Sequence, residues 1–371
     1  MTASHRHPTA IPFNDLGRQY LDLRDEIDAA VARVLSSGWY VHGGEHEAFE
    51  QELADYVGVG SCVGVANGTD ALTLALIAVG CAPGDEIVTA ANAGMYTTSA
   101  ALSAGLTPRF ADVDPDLLTL SAASVEPVLG PATKAIVVTH LYGQLADVAP
   151  IAELARTRGI ALIEDCAQSI GARRFGVMAG AFGDLATFSF YPTKNLGAVG
   201  DGGAVVTNDE DLAERLRRLR QYGWAEKYRS VLAGGRNSRL DELQAAVLRV
   251  KLPHVDRWNV RRREIVSHYR KAAGPRLRFV GSPEADFVAH LCVVVADDRA
   301  EVQRTLAAAG IATAVHYPLP DHQQPVLAGT LEANVTLPVT EHASAHVVSL
   351  PCFAELTDYE VGRVCEALRE C

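Results

Sequence analysis

The chain has 371 residues, of which 48% are hydrophobic and 21% are charged. These proportions are those of a globular protein and exclude a disordered or fibrous chain. The formal net charge of -12 argues against nucleic acid as a partner, because binding to that polyanion depends largely on lysine and arginine displacing counterions. The length favours one large domain plus a smaller one.

The seven cysteines form no C-x-x-C pair and no zinc-type spacing. The sequence therefore predicts free thiols, no metal site and a cytoplasmic protein. The first seven residues lack the apolar core of a signal peptide, and no run of 18 or more apolar residues could span a bilayer. We expect no membrane partner.

Between residues 61 and 208, short β-branched runs alternate with amphipathic stretches. Near-continuous apolar strands are typical of a mostly parallel sheet that is covered by helices on both faces. Between two of these strands, Asp147 is expected to cap a helix that ends at Gly159. The runs predict strands over 63–66, 86–89, 108–112, 135–139, 160–164, 186–190 and 203–207.

Apolar periodicity predicts the rest of the chain. It indicates helices over 211–222, 240–251, 299–309 and 358–370, and strands over 288–296 and 311–317. We therefore predict a large α/β domain with an N-terminal arm over 1–251, and a smaller C-terminal α+β domain over 252–371.

Lys194 is one of only five lysines, and the other four read as surface positions. It follows the strand 186–190 and precedes a glycine-rich run that leads into the strand at Gly203. This places Lys194 at the carboxyl edge of the sheet, where open α/β sheets bind ligands. A buried lysine there can lose its proton and attack a carbonyl. The alternative is a solvated lysine on a loop. The residues predicted to lie near Lys194 distinguish between these two interpretations.

Asp165 closes the predicted strand that begins at residue 160, at the same edge of the sheet. An ionised carboxylate can keep a pyridine nitrogen protonated, so that the ring accepts electrons from a substrate carbon. The alternative is a cap for a helix that begins at Ala167. The preceding residue, Glu164, is expected to face the other side of the sheet.

A third element reads as a phosphate cradle. Gly68 and Thr69 follow the strand 63–66 and open a helix, so their amides and the helix dipole favour an anion. Ser189, five residues before Lys194, can add a hydroxyl. Plain helix capping is the alternative for the first segment. Together with Asp165, these elements require a ligand with an aldehyde, a protonatable ring and a phosphate, which is pyridoxal 5'-phosphate.

The chain resembles the DegT/DnrJ/EryC1/StrS sugar aminotransferases, a family of pyridoxal-phosphate enzymes of fold type I. The resemblance covers nearly the whole length. Its most specific stretches are the glycine and threonine of the cradle, the strand-end aspartate, and the Ser-x-x-x-x-Lys pattern. The matching segments are 38–45, 67–72, 113–114, 140–144, 163–168, 189–196, 200–203 and 235–241.

The resemblance implies the aspartate-aminotransferase-like fold and a set of roles. Lys194 would bind the cofactor as a Schiff base, Asp165 would contact the ring nitrogen, and Gln168 would donate to the ring hydroxyl. Ser189, Thr69 and Asp70 would hold the phosphate. Asn237 would reach the phosphate of a neighbouring subunit, which implies a homodimer with shared active sites.

One stretch departs from the family pattern. Family members usually carry an aromatic residue that stacks on the cofactor ring, and Gly94 occupies that position here. Tyr96 or Met95 could substitute.

The resemblance also implies the reaction. An amino acid, with L-glutamate expected, would give its amine to the cofactor, which would then aminate a nucleotide-linked keto-sugar. Residues 316–323 resemble a segment of enzymes acting on dTDP-3-keto-6-deoxyhexoses, but two prolines also make a rigid turn an equal alternative. A 4-keto sugar, a cyclitol ketone, a sugar dehydratase and a silent partner protein stay open. The expected substrate contacts are Trp39, Tyr40, Tyr191, His316, Tyr317 and His322.

Overall fold

The computed structural model describes residues 10–371. The strands in this part of the chain are β1 (Ser61–Val65), β2 (Glu86–Ala90), β3 (Thr107–Ala111), β4 (Thr133–Thr139), β5 (Ala161–Asp165), β6 (Arg173–Arg174), β7 (Val177–Met178), β8 (Leu185–Ser189), β9 (Gly203–Thr207), β10 (Trp224–Glu226), β11 (Arg229–Ser230), β12 (Leu277–Phe279), β13 (Cys292–Ala296) and β14 (Val347–Leu350).

The helices of the same residues alternate with these strands in the first two thirds of the chain. They are α1 (Leu16–Asp22), α2 (Arg24–Ser37), α3 (Gly44–Val57), α4 (Gly68–Ala78), α5 (Tyr96–Ser103), α6 (Ala122–Val125), α7 (Val148–Arg158), α8 (Glu210–Leu219), α9 (Glu242–Lys251), α10 (Val255–Ala272), α11 (Arg299–Ala308), α12 (Pro338–His346) and α13 (Asp358–Leu368).

A seven-stranded sheet in the order β1-β9-β8-β5-β4-β2-β3 is built from strands between residues 61 and 207. Its neighbours are parallel except at β9, which runs antiparallel to both β1 and β8. The predicted α/β class with a mostly parallel sheet is confirmed. Because β1, β8, β5 and β4 point the same way, the residues that follow them meet at one edge of the sheet.

Helices cover both faces of this sheet, which explains the nearly continuous apolar strands. In β4, Ala135 and Val137 pack in one core with α4 and α8. Ile136 and Val138 point to the opposite face and pack with α7. The helix after β4 also corrects one expectation: Asp147 precedes α7 but does not cap it, because its carboxylate binds Arg174 at 3.1 Å.

The C-terminal part contains a three-stranded antiparallel sheet, β12-β13-β14, packed against α10, α11 and α13. The predicted strand over 311–317 is wrong. This segment pairs with other strands only at isolated positions, Ile11 with Ile311 and Ala314 with Ser349. The bridge from Ala314 lies beside β14, at the edge of the sheet opposite to β12.

Two elements connect the central sheet with the C-terminal sheet. Helix α10 contributes Val255 and Trp258 to a core that includes residues of β8 and β9, and Ile265 and Tyr269 to the C-terminal core. None of the helices formed by residues 10–371 has the length and apolar character needed to cross a bilayer.

The second connection is the N-terminal arm. Ile11 packs in the C-terminal core, and Arg18 forms a bidentate ion pair with Glu360 at 2.8 and 2.7 Å. Between these anchors, Phe13 stacks on the ring of His316, with ring centres 5.7 Å apart. The arm therefore lies against the C-terminal part of the protein.

Candidate active site

A cavity of about 660 Å³ lies at the carboxyl edge of the central sheet. The central sheet contributes the ends of its strands, and the C-terminal part contributes irregular segments. The lining of the cavity includes Phe13, Gly68, Thr69, Tyr96, Asp165, Gln168, Ser189, Tyr191, Lys194, His290, His316, Tyr317 and Cys352.

Lys194 is half-buried in the wall of this cavity. Its backbone N–H donates to the carbonyl of Tyr191 at 2.8 Å, which forms a tight turn directly after β8. Burial lowers the pKa of Lys194 to about 8, although the carboxylate of Asp165 opposes this change. A substantial neutral fraction is therefore present near physiological pH, and a neutral amine is the form that attacks a carbonyl.

A second lysine is also buried, which corrects the expectation of four surface lysines. Lys251 is 6% exposed, and its Nζ donates to the carbonyl of Gly197 at 2.7 Å. Burial lowers the pKa of Lys251 to about 8 as well. It does not line the cavity. A low pKa alone therefore does not distinguish Lys194, whereas its access to the cavity does.

Asp165 is the last residue of β5 and is only 3% exposed. Its Oδ2 accepts a hydrogen bond from Thr139 at 3.2 Å, and its Oδ1 accepts from the amide of Ala167 at 3.1 Å. Burial raises the pKa of Asp165. The alternative role as a helix cap is not realised, because residues 167–171 form a turn and no helix.

A buried pair behind the sheet edge fixes the end of β5. The expectation that Glu164 faces away from Asp165 is confirmed, since its Oε2 lies 2.9 Å from Nε2 of His140. Glu164 also accepts backbone amides from residues 180, 182 and 183. Cys166 lies near both side chains. The two oxygens of Glu164 therefore accept four hydrogen bonds, and this side chain has a structural role. The backbone amide of His140 also donates to the carbonyl of Asp165 at 3.1 Å, which holds the end of β5.

The predicted phosphate cradle forms where β1 leads into α4. Asn67 caps this helix by accepting the amide of Asp70 at 2.8 Å. The preceding amides, those of Gly68 and Thr69, belong to the first turn and have no partner within the helix. A Cβ on Gly68 would lie 2.7 Å from Cβ of Ser189. The close approach that glycine permits brings the hydroxyl of Ser189 beside these amides.

The position left open by Gly94 is filled by Tyr317. Gly94 has a φ of +78°, and a Cβ built there would lie 2.8 Å from the Tyr317 ring. Tyr96, the expected substitute, also lines the cavity and meets Tyr317 edge to face at 6.2 Å. Met95 lies outside the cavity lining and precedes α5. Two tyrosines, rather than one aromatic residue at position 94, therefore border this side of the cavity.

The segment that carries Tyr317 is fastened to the large domain. Asp321 is 1% exposed and accepts hydrogen bonds from the amide of Met95 at 2.9 Å and from Thr98 at 2.6 Å. Gln168 donates to the Tyr317 hydroxyl at 3.2 Å. The sequence patterns gave no indication of this role for Asp321, because its partners are more than 220 residues away.

Two histidines complete the C-terminal side. His316 is held by Ser349 at 2.8 Å, and burial lowers its pKa to about 4. His290 is held by Asn195 at 2.9 Å, and burial lowers its pKa well below the usual range. Both rings are therefore neutral at physiological pH. Asn195 and His290 were not among the sequence-predicted site residues.

Several expected site residues do not line the cavity. Asp70 pairs with Arg236 at 3.3 Å. His322 is turned away from the cavity, because it is buried and lies 3.2 Å from Glu341. The others are exposed on the surface of this chain, namely Trp39, Tyr40 and Asn237.

Sequence comparison gives the protein a family context. The model of the DegT/DnrJ/EryC1/StrS aminotransferase family matches residues 21–369. The chain is 45% identical to the "Erythromycin biosynthesis sensory transduction protein EryC1" of Saccharopolyspora erythraea, covering 97% of this chain and 99% of the relative. It is 44% identical to the dTDP-3-amino-3,4,6-trideoxy-alpha-D-glucose transaminase of Streptomyces venezuelae, covering 99% and 98%.

A further relative and a solved structure agree with this. A UDP-N-acetyl-3-dehydro-alpha-D-glucosamine 3-aminotransferase of Acidithiobacillus ferrooxidans is 42% identical, with 97% of this chain and 98% of the relative covered. The crystal structure of Streptomyces venezuelae DesV in complex with a ketimine intermediate superposes with a TM-score of 0.93 at 44% identity, covering 97% and 98% of the two chains.

Proposed function

Because the chain belongs to the DegT/DnrJ/EryC1/StrS aminotransferase family, we propose that it transfers an amino group from L-glutamate to carbon 3 of a dTDP-linked 3-keto-6-deoxyhexose. It is a pyridoxal-phosphate-dependent sugar aminotransferase of fold type I. The observation that carries the cofactor and the reaction type is the meeting of Lys194, Asp165 and the Gly68–Ser189 cradle in one cavity.

The residues present fit pyridoxal 5'-phosphate. The cradle would hold the phosphate, because the first-turn amides of α4 and the hydroxyl of Ser189 lie together beside the missing Cβ of Gly68. Asp165 is a buried carboxylate suited to a protonated ring nitrogen, and Lys194 is an amine suited to the aldehyde. When bound, the cofactor supplies a carbonyl that exchanges for an amine and a ring that accepts electrons.

The chain's own residues then have separate tasks. The carboxylate of Asp165 holds a proton on the ring nitrogen, and Thr139 and the amide of Ala167 keep this carboxylate in place. The Nζ atom of Lys194 would take up the proton that leaves the α-carbon of the amino acid and pass it to the cofactor, and in the second half of the cycle it would move a proton in the opposite direction, to the sugar carbon. Because its pKa is about 8, this amine can both accept and release a proton near neutral pH.

The substrate proposal rests on the names of relatives and on the C-terminal side of the cavity. Two relatives, from Streptomyces venezuelae and Acidithiobacillus ferrooxidans, are named for sugars with the amine or the ketone at carbon 3. One name contains dTDP and the other UDP. The names therefore support amination at carbon 3 more strongly than they support dTDP as the nucleotide. Tyr191, His316 and Tyr317 line the cavity and are the proposed sugar contacts.

The test is a substrate panel. We expect the purified protein with cofactor to show a yellow absorption band that bleaches when glutamate is added. Incubation with glutamate and nucleotide-linked 3-keto and 4-keto sugars, with a cyclitol ketone as a further member, is analysed by mass spectrometry and by NMR of the aminated carbon. Amination at carbon 4, or of the cyclitol, would replace the substrate proposed here, and a yellow band that glutamate cannot bleach would favour a non-transaminase reaction such as sugar dehydration.

We further propose a cytoplasmic homodimer. All seven cysteines are free, as expected in a reducing compartment. Asn237 is exposed, and the backbone carbonyl of Tyr40 accepts the amide of Glu242 at 3.1 Å. Trp39, Tyr40 and Asn237 are exposed on this chain, and from its surface they would reach the active site of a second copy.

Subunit complementation tests the shared site. Lys194→Ala and Asn237→Ala homodimers should each have little activity. Mixing and re-equilibrating them should restore about one quarter of the wild-type activity, because half of the dimers are mixed and each mixed dimer has one intact site. No recovery, despite mixed dimers detected by native mass spectrometry, would show that Asn237 acts within its own chain.

A further inference from the structure

Asn195, the residue that follows Lys194, is the centre of a buried hydrogen-bond chain. Its Nδ2 donates to the carbonyl of Val288 at 3.1 Å and to Oδ1 of Asn259 at 2.7 Å. Its Oδ1 lies 2.9 Å from Nδ1 of His290. The side chains of Asn195, Asn259 and His290 are all at least 93% buried, so these bonds do not compete with bulk water.

The ends of this chain fix the direction of every hydrogen bond in it. The carbonyl of Val288 can only accept, so the amide nitrogen of Asn195 must face it. Asn259 is oriented in the same way, because its Nδ2 binds the carbonyl of Ile170 at 2.9 Å. The atom of Asn195 that faces His290 is therefore Oδ1, which can only accept. Nδ1 of His290 must carry the proton.

The other nitrogen of His290 is consequently an acceptor. Burial lowers the pKa of this ring well below its usual value, and the charges of Lys194 and Arg262 act in the same direction. A neutral ring with a proton on Nδ1 has a lone pair on Nε2. Among residues 10–371, Nε2 has no hydrogen-bond partner, and His290 lines the same cavity as Lys194.

We infer that Nε2 of His290 accepts a hydrogen bond from the ε-amino group of Lys194 whenever that amine is not bonded to the cofactor. His290 is thus a positioning residue for the proton carrier, and this inference rests on the aminotransferase function proposed above. The bond orients Nζ and favours its charged form, since a neutral acceptor stabilises an ammonium group. Asp165 and His316 interact electrostatically with Lys194, and Nδ1 of His316 is already engaged by Ser349. The further titratable groups in the lining of the cavity are Tyr96, Tyr191, Asp201, Tyr317 and Cys352.

A matched pair of variants separates the two nitrogens. In His290→Asn, the side-chain amide can replace Nδ1 and keep the bond to Asn195, but no atom replaces Nε2. In His290→Gln, a carbonyl oxygen can reach the position of Nε2 and act as an acceptor. The pKa of Lys194 is measured in the full-length enzyme loaded with pyridoxamine 5'-phosphate, by trace acetylation across a pH series and peptide mass spectrometry.

We expect the pKa of Lys194 to fall by about one pH unit in His290→Asn and to stay near the wild-type value in His290→Gln. The rate at which glutamate bleaches the yellow band should fall roughly tenfold in His290→Asn, with recovery in His290→Gln. An unchanged pKa in His290→Asn, or equal losses in both variants, would overturn the inference. Because the acetylation experiment needs no turnover, failure to aminate any keto-sugar would refute only the proposed function.

A measurement on the wild-type ring covers the case in which His290→Asn does not fold. Nitrogen-15 NMR of histidine-labelled enzyme reports which ring nitrogen carries a proton, and the signal of His290 is assigned by its loss in His290→Gln. We expect a neutral ring with the proton on Nδ1 at pH 7. A proton on Nε2, or a doubly protonated ring, would contradict the acceptor role.

Discussion

The two walls of the cavity are built in different ways. The large-domain wall, made of Gly68, Asp165, Ser189 and Lys194, consists of residues at or after the ends of strands β1, β5 and β8 of one sheet. The small-domain wall, made of His290, His316, Tyr317 and Cys352, lies mainly in irregular segments.

Side-chain hydrogen bonds hold the second wall in place. Asp321 fastens the segment of Tyr317, and Asn195 fastens His290. A side chain at the end of a rigid strand keeps its position when the loops change conformation or sequence. A side chain on a loop can be replaced with little effect on the sheet. We therefore propose that the first wall carries the cofactor chemistry and that His316 and Tyr317 of the second wall select the sugar, while His290 of the second wall positions Lys194.

The largest effect is expected at Lys194, in the large-domain wall. Lys194→Ala should lower the rate of amino transfer by roughly 10⁴-fold, because the variant loses its nucleophile and proton carrier. Stopped-flow absorbance with glutamate measures this rate. The exposed lysine variant Lys134→Ala is the control and should behave like the wild type. A Lys194→Ala enzyme that retained amino transfer would refute the assignment.

Asp165→Asn should rank second. An amide cannot hold a proton on the ring nitrogen as an ionised carboxylate does, and we expect a rate lower by roughly 10²-fold to 10³-fold. Thr139→Val removes only the 3.2 Å bond to Oδ2 of Asp165 and should cost roughly tenfold at most. Single-turnover kinetics would contradict the role of Asp165 if both variants lost the same amount.

Gly68→Ala tests the cradle itself. The new Cβ would lie 2.7 Å from Cβ of Ser189, and overpacking of this kind costs about 1–3 kcal/mol. We expect cofactor affinity, measured by fluorescence titration, to fall by roughly 5-fold to 150-fold. Gly362→Ala is the matched control, because a Cβ at position 362 in α13 meets no atom within 4 Å. Equal affinities for both variants would show that the cradle tolerates a side chain.

The smallest effect is expected in the small-domain wall. Tyr317→Phe keeps the ring that fills the space beside Gly94 but loses the bond from Gln168. A neutral hydrogen bond contributes about 0.5–1.5 kcal/mol, so KM for the keto-sugar should rise by less than roughly tenfold. Cofactor affinity should hardly change. A larger loss of cofactor affinity than of sugar affinity would remove the distinction between the two walls.

The two walls of the cavity also differ in how well they could be predicted from the sequence. The seven strands of the central sheet were predicted within one or two residues, because each is a short local run of apolar residues. The Ser-x-x-x-x-Lys pattern is equally local, since β8 and one turn connect Ser189 to Lys194. A pattern of a few consecutive residues determines the local structure of those residues, so the large-domain wall could be predicted from the sequence.

The small-domain wall depends on contacts between residues that are far apart in the chain. His290 is 95 residues from Asn195, and Asp321 is 223 residues from Thr98. No periodicity marks such pairs. The wrong strand over 311–317 has the same cause, since its apolar residues find partners in the N-terminal arm and in β14 only at single positions. Burial of Lys251 likewise depends on the distant carbonyl of Gly197.

Helix α10 has a consequence for exchanging sugar specificity between family members. Its first turns belong to the large-domain core and its later turns to the C-terminal core. A chimera joined at 251/252 would bring in α10 from the donor enzyme and pack a foreign Val255 and Trp258 against the native large domain. Recombination is better made inside the helix, between Trp258 and Ile265, so that each half keeps the core with which it evolved.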